Sequence, residues 1–164
     1  EQDWNRKIVL PEAKKAFQTR YERAKELLGE FPDKFLPKNT IYDEWNSLKK
    51  NLAKRNFQQY FYIREIWFTS IGKNLGYEED GKNELLERPV LIYQKFNNDI
   101  FLGIPLTGSF KEGKYYSTLK HDGIESSALL SQIRLFDAKR LLRRVRKITP
   151  EEFKILRNKL KDML

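Results

Sequence analysis

The chain has 164 residues, 40% of them apolar and 13% aromatic, enough to bury a core for one domain or for a domain of about 100 residues plus an appendage. It has no cysteine and one histidine, His121, which excludes disulfides, thiolate metal sites, cysteine nucleophiles and paired-histidine ribonuclease chemistry. Thirty-two Lys and Arg against 23 Asp and Glu leave a net charge of +9, which favours a polyanionic partner, although a solvated surface alone produces the same balance.

Ala13, Ala16, Phe17, Ala24, Leu27, Leu28 and Phe31 fall at helical spacing and predict an amphipathic helix over 11–31, stopped by Gly29 and Pro32. A linker near 32–39 leads to a second helix that starts near Thr40, carries Ile41, Trp45, Leu48 and Leu52 on one face, and ends around 54–56. From Tyr60 the period becomes strand-like. Strands are expected over 64–71, 88–93, 99–107, 113–119 and 126–134, with turns at Asn97-Asn98-Asp99 and His121-Asp122-Gly123. Thr149-Pro150-Glu151-Glu152 has the spacing of a capped helix start, with Phe153, Leu156 and Leu160 facing inward. The organisation expected is a helical extension over 1–60 and a β-rich domain over 61–164. No apolar run approaches the roughly 20 residues needed to cross a bilayer, and no apolar signal region follows Glu1, so a soluble cytoplasmic protein is expected.

Six segments in order carry a resemblance. Glu65-Ile-Trp67, Gly76-Tyr-Glu78, Arg88-Pro-Val-Leu-Ile92, Ile104-Pro-Leu-Thr107, Ser127-Ala-Leu-Leu-Ser-Gln132-Ile-Arg134 and Ile148-Thr-Pro-Glu-Glu-Phe153 together resemble the MazF/PemK toxin family over about 100 residues. The resemblance implies an α+β fold: a half-open SH3-like β-barrel, here preceded by two helices and closed by a C-terminal helix. It further implies a homodimer that cleaves single-stranded RNA without a metal or other cofactor, leaving a 2′,3′-cyclic phosphate and a 5′-hydroxyl, and that a separate antitoxin holds in check. The catalytic arginine and threonine of the family carry over to Arg88 and Thr107. Two departures stand out: the loop between Gly76 and Arg88 is longer than in compact members, and more than 60 residues precede the barrel.

Transesterification by a 2′-hydroxyl requires a proton acceptor, stabilisation of the phosphorane and a donor for the leaving 5′-oxygen. The Arg88 guanidinium suits the second role because its planar fork matches two phosphoryl oxygens and stays charged. Glu78 is the candidate proton acceptor, and it reads equally as a solvated loop charge. Gln132, Arg134, Arg143 and Arg144 are candidate RNA contacts. Residues 134–147 hold seven basic side chains and one acidic, either a track along RNA or a helical or strand-helix junction with Leu135, Phe136, Leu141, Leu142 and Val145 in the core.

Residues 1–63 carry 13 basic and 9 acidic side chains, too basic to mimic phosphate in the way an acidic antitoxin segment would. Phe17, Leu27 and Leu28 form a candidate partner-binding face there. The extra helices leave a second class open: a non-catalytic toxin-like barrel that holds a regulatory protein, such as an anti-sigma factor.

Overall fold

The computed structural model of the chain describes residue 23 and residues 41–56, 60–121 and 124–163. The first expected helix, the linker near 32–39 and the candidate face of Phe17, Leu27 and Leu28 lie outside these residues. So do the tip residues 122 and 123 of the His121 turn.

Helix α1 (Ile41–Lys54) is the second helix read from the sequence. Trp45 and Leu52 are buried and Leu48 packs beside them, as the i, i+3, i+7 spacing requires. The strands are β1 (Glu65–Ser70), β2 (Glu87–Lys95), β3 (Ile100–Thr107), β4 (Tyr116–His121), β5 (Ile124–Leu129), β6 (Arg134–Asp137) and β7 (Leu141–Lys147), followed by α2 (Pro150–Met163). Their order is β4-β5-β3-β2-β1-β7, with β6 also paired to β3, and every pairing is antiparallel. Among the described residues no pairing joins β4 to β7, so the sheet is not closed. Strand β3 is the pivot, its first half bonded to β6 and its last two residues to β5. At the β2–β3 turn the Asn97 Oδ1 accepts from the backbone N–H of Asp99 and of Ile100, both at 2.8 Å, which is why asparagine opens that turn.

Side-chain alternation gives the sheet two buried faces. Ile66, Leu91 and Ile104 face α2 and pack with Leu156 and Leu160, while Trp67, Val90 and Ile92 face the opposite way, onto Phe61, Phe101, Phe136 and Leu141. Helix α2 starts as its sequence dictates: Glu152 N donates to Thr149 Oγ1 (3.1 Å), and Thr149 N donates to the Glu152 carboxylate (2.8 Å). Phe153 sits against Tyr93, ring centres 5.7 Å apart.

Two stretches differ from the sequence reading. The strand expected over 126–134 stops at Leu129 and becomes a 3₁₀ turn (Leu130–Gln132), because the chain must swing from one end of β3 to the other to form β6. Residues 134–147 are neither a helix nor a strand-helix junction. They are β6 and β7 joined by a second 3₁₀ turn (Ala138–Arg140), so Phe136 and Leu141 are core as expected but Leu135 and Val145 point outward.

Residues 41–164 form one compact unit, with α1 included. Trp45 and Leu52 pack on Leu86, Arg55 Nη1 donates to the carbonyls of Lys139 (2.7 Å) and Leu141 (3.1 Å), and Lys139 Nζ donates to that of Ala53 (3.0 Å). Among the described residues no helix is long and apolar enough to cross a membrane.

Candidate active site

The loop of residues 72–86 joins β1 to β2 and folds back on itself. At its base the N–H groups of Ile71 and Gly72 both donate to the Leu86 carbonyl (3.0 and 3.1 Å), and Gly81 N donates to Gly72 O (2.8 Å). Both glycines are required here. Gly72 has φ +90°, and a Cβ on it would lie 2.3 Å from the Trp45 indole; a Cβ on Gly81 would lie 1.7 Å from the Leu86 carbonyl oxygen. The interior of the loop is polar. Asp80 pairs with Lys73 and accepts from Asn74 N (2.7 Å), while Asn74 Nδ2 donates to Glu79 O (2.8 Å). Burial pushes the Asp80 carboxyl up, but the hydrogen bonds from Lys73 and Asn74 and the charges of Lys73 and Arg88 outweigh it and hold the group below its usual range. Lys73 is raised in turn by its hydrogen bond to Asp80.

This folding delivers two oxygens to one guanidinium, and β3 adds a third. Arg88, on β2, donates from Nε to the Asp80 carbonyl (2.7 Å) and from Nη1 to the Leu106 carbonyl (3.5 Å), and its Nη1 pairs with Glu79 Oε1 at 2.6 Å. Its side chain is 9% exposed. Val90 pairs with Pro105 in the β2–β3 ladder, so continuing the register by two residues sets Arg88 opposite Thr107, on the same face. Thr107 is half-exposed at the strand end, where its hydroxyl accepts from Ser109 N (3.3 Å). The two residues that sequence reasoning paired therefore share one end of one ladder.

The other candidates are distributed differently. Glu78 does not meet Arg88: its carboxylate accepts from Leu75 N (3.2 Å), and the acid beside the guanidinium is its neighbour Glu79. Gln132 lies in the 3₁₀ turn and clamps the loop, accepting from Glu79 N (3.3 Å) and donating to Tyr77 O (3.2 Å). Arg134 does the same from β6, donating to Asn74 Oδ1 and to Ile71 O, both 3.2 Å, with its guanidinium 5.0 Å above the Phe136 ring.

Strand alternation divides the remaining pair. Arg143 grips the buried Glu87 carboxylate with two hydrogen bonds, 2.7 and 2.9 Å, and lies 3.8 Å above the Phe68 ring; Glu87 precedes Arg88 and projects to the opposite face. That hydrogen bonding holds the Arg143 guanidinium above its ordinary value. Arg144 instead approaches Glu65 (3.5 Å), at the far end of β1 from Thr69, the residue paired with Arg88. The two arginines do not form one continuous track. Among the described residues no cluster of three or more His, Asp or Glu could hold a metal ion.

Sequence reasoning missed Glu79, Asp80 and Lys73. The one signal available was the pair of glycines, Gly72 and Gly81, bracketing an acidic run.

Solved structures share the fold over 65% of the chain. The MazF of Deinococcus radiodurans in its Form-I crystal is similar with a TM-score of 0.55 and 18% identity, over 65% of this chain and 97% of that one. A MazE-MazF structure from the same organism, Form-II, gives 0.51 and 16%, over 65% and 96%. At such identities the likeness is one of fold. No curated protein sequence matches the chain. The family model for PemK-like, MazF-like toxins matches residues 64–164, well over half the chain and all of the sheet. The chain thus belongs to the PemK-like, MazF-like toxin family of type II toxin-antitoxin systems.

Proposed function

We propose that the protein is an endoribonuclease toxin that cuts single-stranded RNA at Arg88 and Thr107, with residues 61–164 as the catalytic module and the preceding residues as an extension. One observation carries the reading: a nearly buried guanidinium that reaches the carbonyl of Leu106, the neighbour of Thr107 at the end of β3, with a carboxylate 2.6 Å away. A phosphate entering the site displaces the Glu79 oxygen from Arg88 and takes its place, since phosphoryl oxygens match the same fork. Arg88 then stabilises the charge of the phosphorane, and Thr107 holds a non-bridging oxygen. The displaced Glu79 carboxylate accepts the 2′-hydroxyl proton as the 2′-oxygen bonds to phosphorus. The P–O5′ bond breaks, the 5′-oxygen takes a proton from water while Glu79 returns to solvent the proton it accepted, and the products are a 2′,3′-cyclic phosphate and a 5′-hydroxyl. The charge stabilisation comes from the guanidinium, so the reading takes no metal or other cofactor.

The partners proposed are single-stranded RNA, a second copy of the chain and, by likeness to a fold relative whose structure pairs MazF with MazE, an antitoxin in the cytoplasm. Basic residues outside the centre attract the RNA in a salt-dependent way, and its sequence word is set by loop shape.

The reading as a binding module has one observation in its favour: Nε and Nη1 of Arg88 are already bonded to groups of the chain, so the state described is closed. Incubation of the purified protein with a long mixed-sequence RNA in EDTA, followed by mapping of the ends, separates the two. Discrete cuts with 5′-hydroxyl termini support the toxin. Intact RNA at micromolar protein supports the module.

A further inference from the structure

A cavity of about 340 Å³ lies between α1, the 72–86 loop and β6 with its following turn, and neither Arg88 nor Thr107 lines it. Lys49 and Trp45 enter from α1, Lys73 and Glu78 from the loop, Arg134 from β6 and Arg140 from the 3₁₀ turn. Lys73 is neutralised by Asp80. The other three cations are not.

Arg134 and Arg140 are half-buried, and among the described residues all their hydrogen bonds go to neutral oxygens: Asn74 Oδ1 and Ile71 O for the first, Ser70 O (3.0 Å) for the second. Their flat faces rest on Phe136 and, for Arg140, on the Trp45 ring at 5.3 Å. Two carboxylates act on them, Glu78 on Arg134 and Asp137 on Arg140, but neither reaches ion-pair distance. Both guanidiniums are pushed below their ordinary value by burial, and Arg140 further by the charge of Arg134. Lys49 makes no hydrogen bond or ion pair among the described residues. Charges withdrawn from water are ordinarily compensated, and like charges sharing a cavity are destabilising unless anions balance them; Glu78 alone in the lining does not balance Lys49, Arg134 and Arg140.

The geometry points to a second site, in which Lys49, Arg134 and Arg140 bind the phosphoryl group of a nucleotide. A guanidinium fork fits phosphate oxygens, and the volume, at the low end of the roughly 300–1,000 Å³ range of small-molecule pockets, has room for a phosphate with one nucleoside. Because α1 supplies Lys49 and Trp45, the site joins the leading helix to the toxin domain. It does not depend on the nuclease reading.

The phosphate comes either from a free nucleotide or from a nucleic-acid strand, and binding measurements distinguish them. Inorganic phosphate, uridine 5′-monophosphate and a 2′-O-methyl hexanucleotide, which lacks the attacking hydroxyl, are titrated calorimetrically into the wild type and into Lys49→Gln, Arg140→Gln and Arg88→Ala proteins. We expect Arg140→Gln to weaken binding at least tenfold and Lys49→Gln several-fold, with Arg88→Ala retaining the component lost in those two. Binding of phosphate or the mononucleotide identifies a free ligand; binding of the hexanucleotide alone, still dependent on Lys49 and Arg140, identifies a strand. Should Arg140→Gln fail to fold, the exposed Lys49 decides. The site is rejected if no probe binds the wild type, or if Lys49→Gln binds every probe as tightly as the wild type.

Discussion

The face of the sheet that carries α2 and the loop that covers Arg88 are held by opposite means. Beneath α2 the contacts are apolar: Leu156 and Leu160 close over Ile66, Leu91, Ile104 and Ile148, and the polar cap of Thr149 and Glu152 lies at the rim. Beyond Leu86 at its base, the loop is held by hydrogen bonds and ion pairs, within itself and from three other elements, β2, the first 3₁₀ turn and β6, and Leu75 and Tyr77 at its tip stand in solvent. Apolar burial is non-directional and contributes several kcal/mol per large side chain, whereas an exchanged hydrogen bond contributes about 1 kcal/mol net. The α2 layer is therefore the scaffold, and the loop is a polar latch over Arg88, which on the proposed reading a phosphate opens.

The sharpest break in that comparison comes from the core. Leu156→Ala removes a fully buried side chain and should cost about 2–5 kcal/mol of unfolding free energy while leaving the Arg88 centre of the folded fraction unchanged. Denaturant unfolding checks the first part and cleavage per folded molecule the second. Next is Thr107→Ala, at the half-exposed end of β3, where loss of phosphate positioning should lower cleavage by about 100-fold with no change in unfolding midpoint. Equal losses of stability and activity would place Thr107 in the scaffold instead.

Gln132→Ala releases two loop bonds and should cost only about 1 kcal/mol globally. Its distinctive effect is local: faster proteolysis near Tyr77 and a higher KM, with protection under α2 preserved. Smallest is the effect of acid. The Asp80 carboxyl is held below its ordinary value, so its contribution is complete above about pH 4, where the unfolded group titrates, and is lost as pH falls through the depressed folded value. Amide exchange in the loop should rise over that window in the wild type, and in Asp80→Asn it should be equally fast on both sides of it.

The same division explains what the sequence made legible. Spacing alone located α1 through Trp45 and Leu52, the β2–β3 turn through Asn97, and the start of α2 through Thr149 and Glu152, because each depends on neighbours within a few residues. The end of β5 at Leu129 was not legible, since it is set by the demand that β6 reach the other half of β3. The same holds for the partners of the loop: Gln132 lies 53 positions from Glu79 and Arg134 lies 60 from Asn74, and no local period records such meetings. Family resemblance pointed to Arg88 and Thr107, but it could not tell which of two adjacent glutamates turns inward, because the path of the loop depends on Gly72 against Trp45.

The most direct measurement compares wild type and Arg88→Ala side by side on the same long RNA in EDTA, counting 5′-hydroxyl ends, with circular dichroism to establish that the variant is folded. Removal of the guanidinium should lower the cutting rate by at least about 10²–10³-fold. Cuts at the same positions and at the wild-type rate in the folded variant would contradict the assignment of the reaction to this centre.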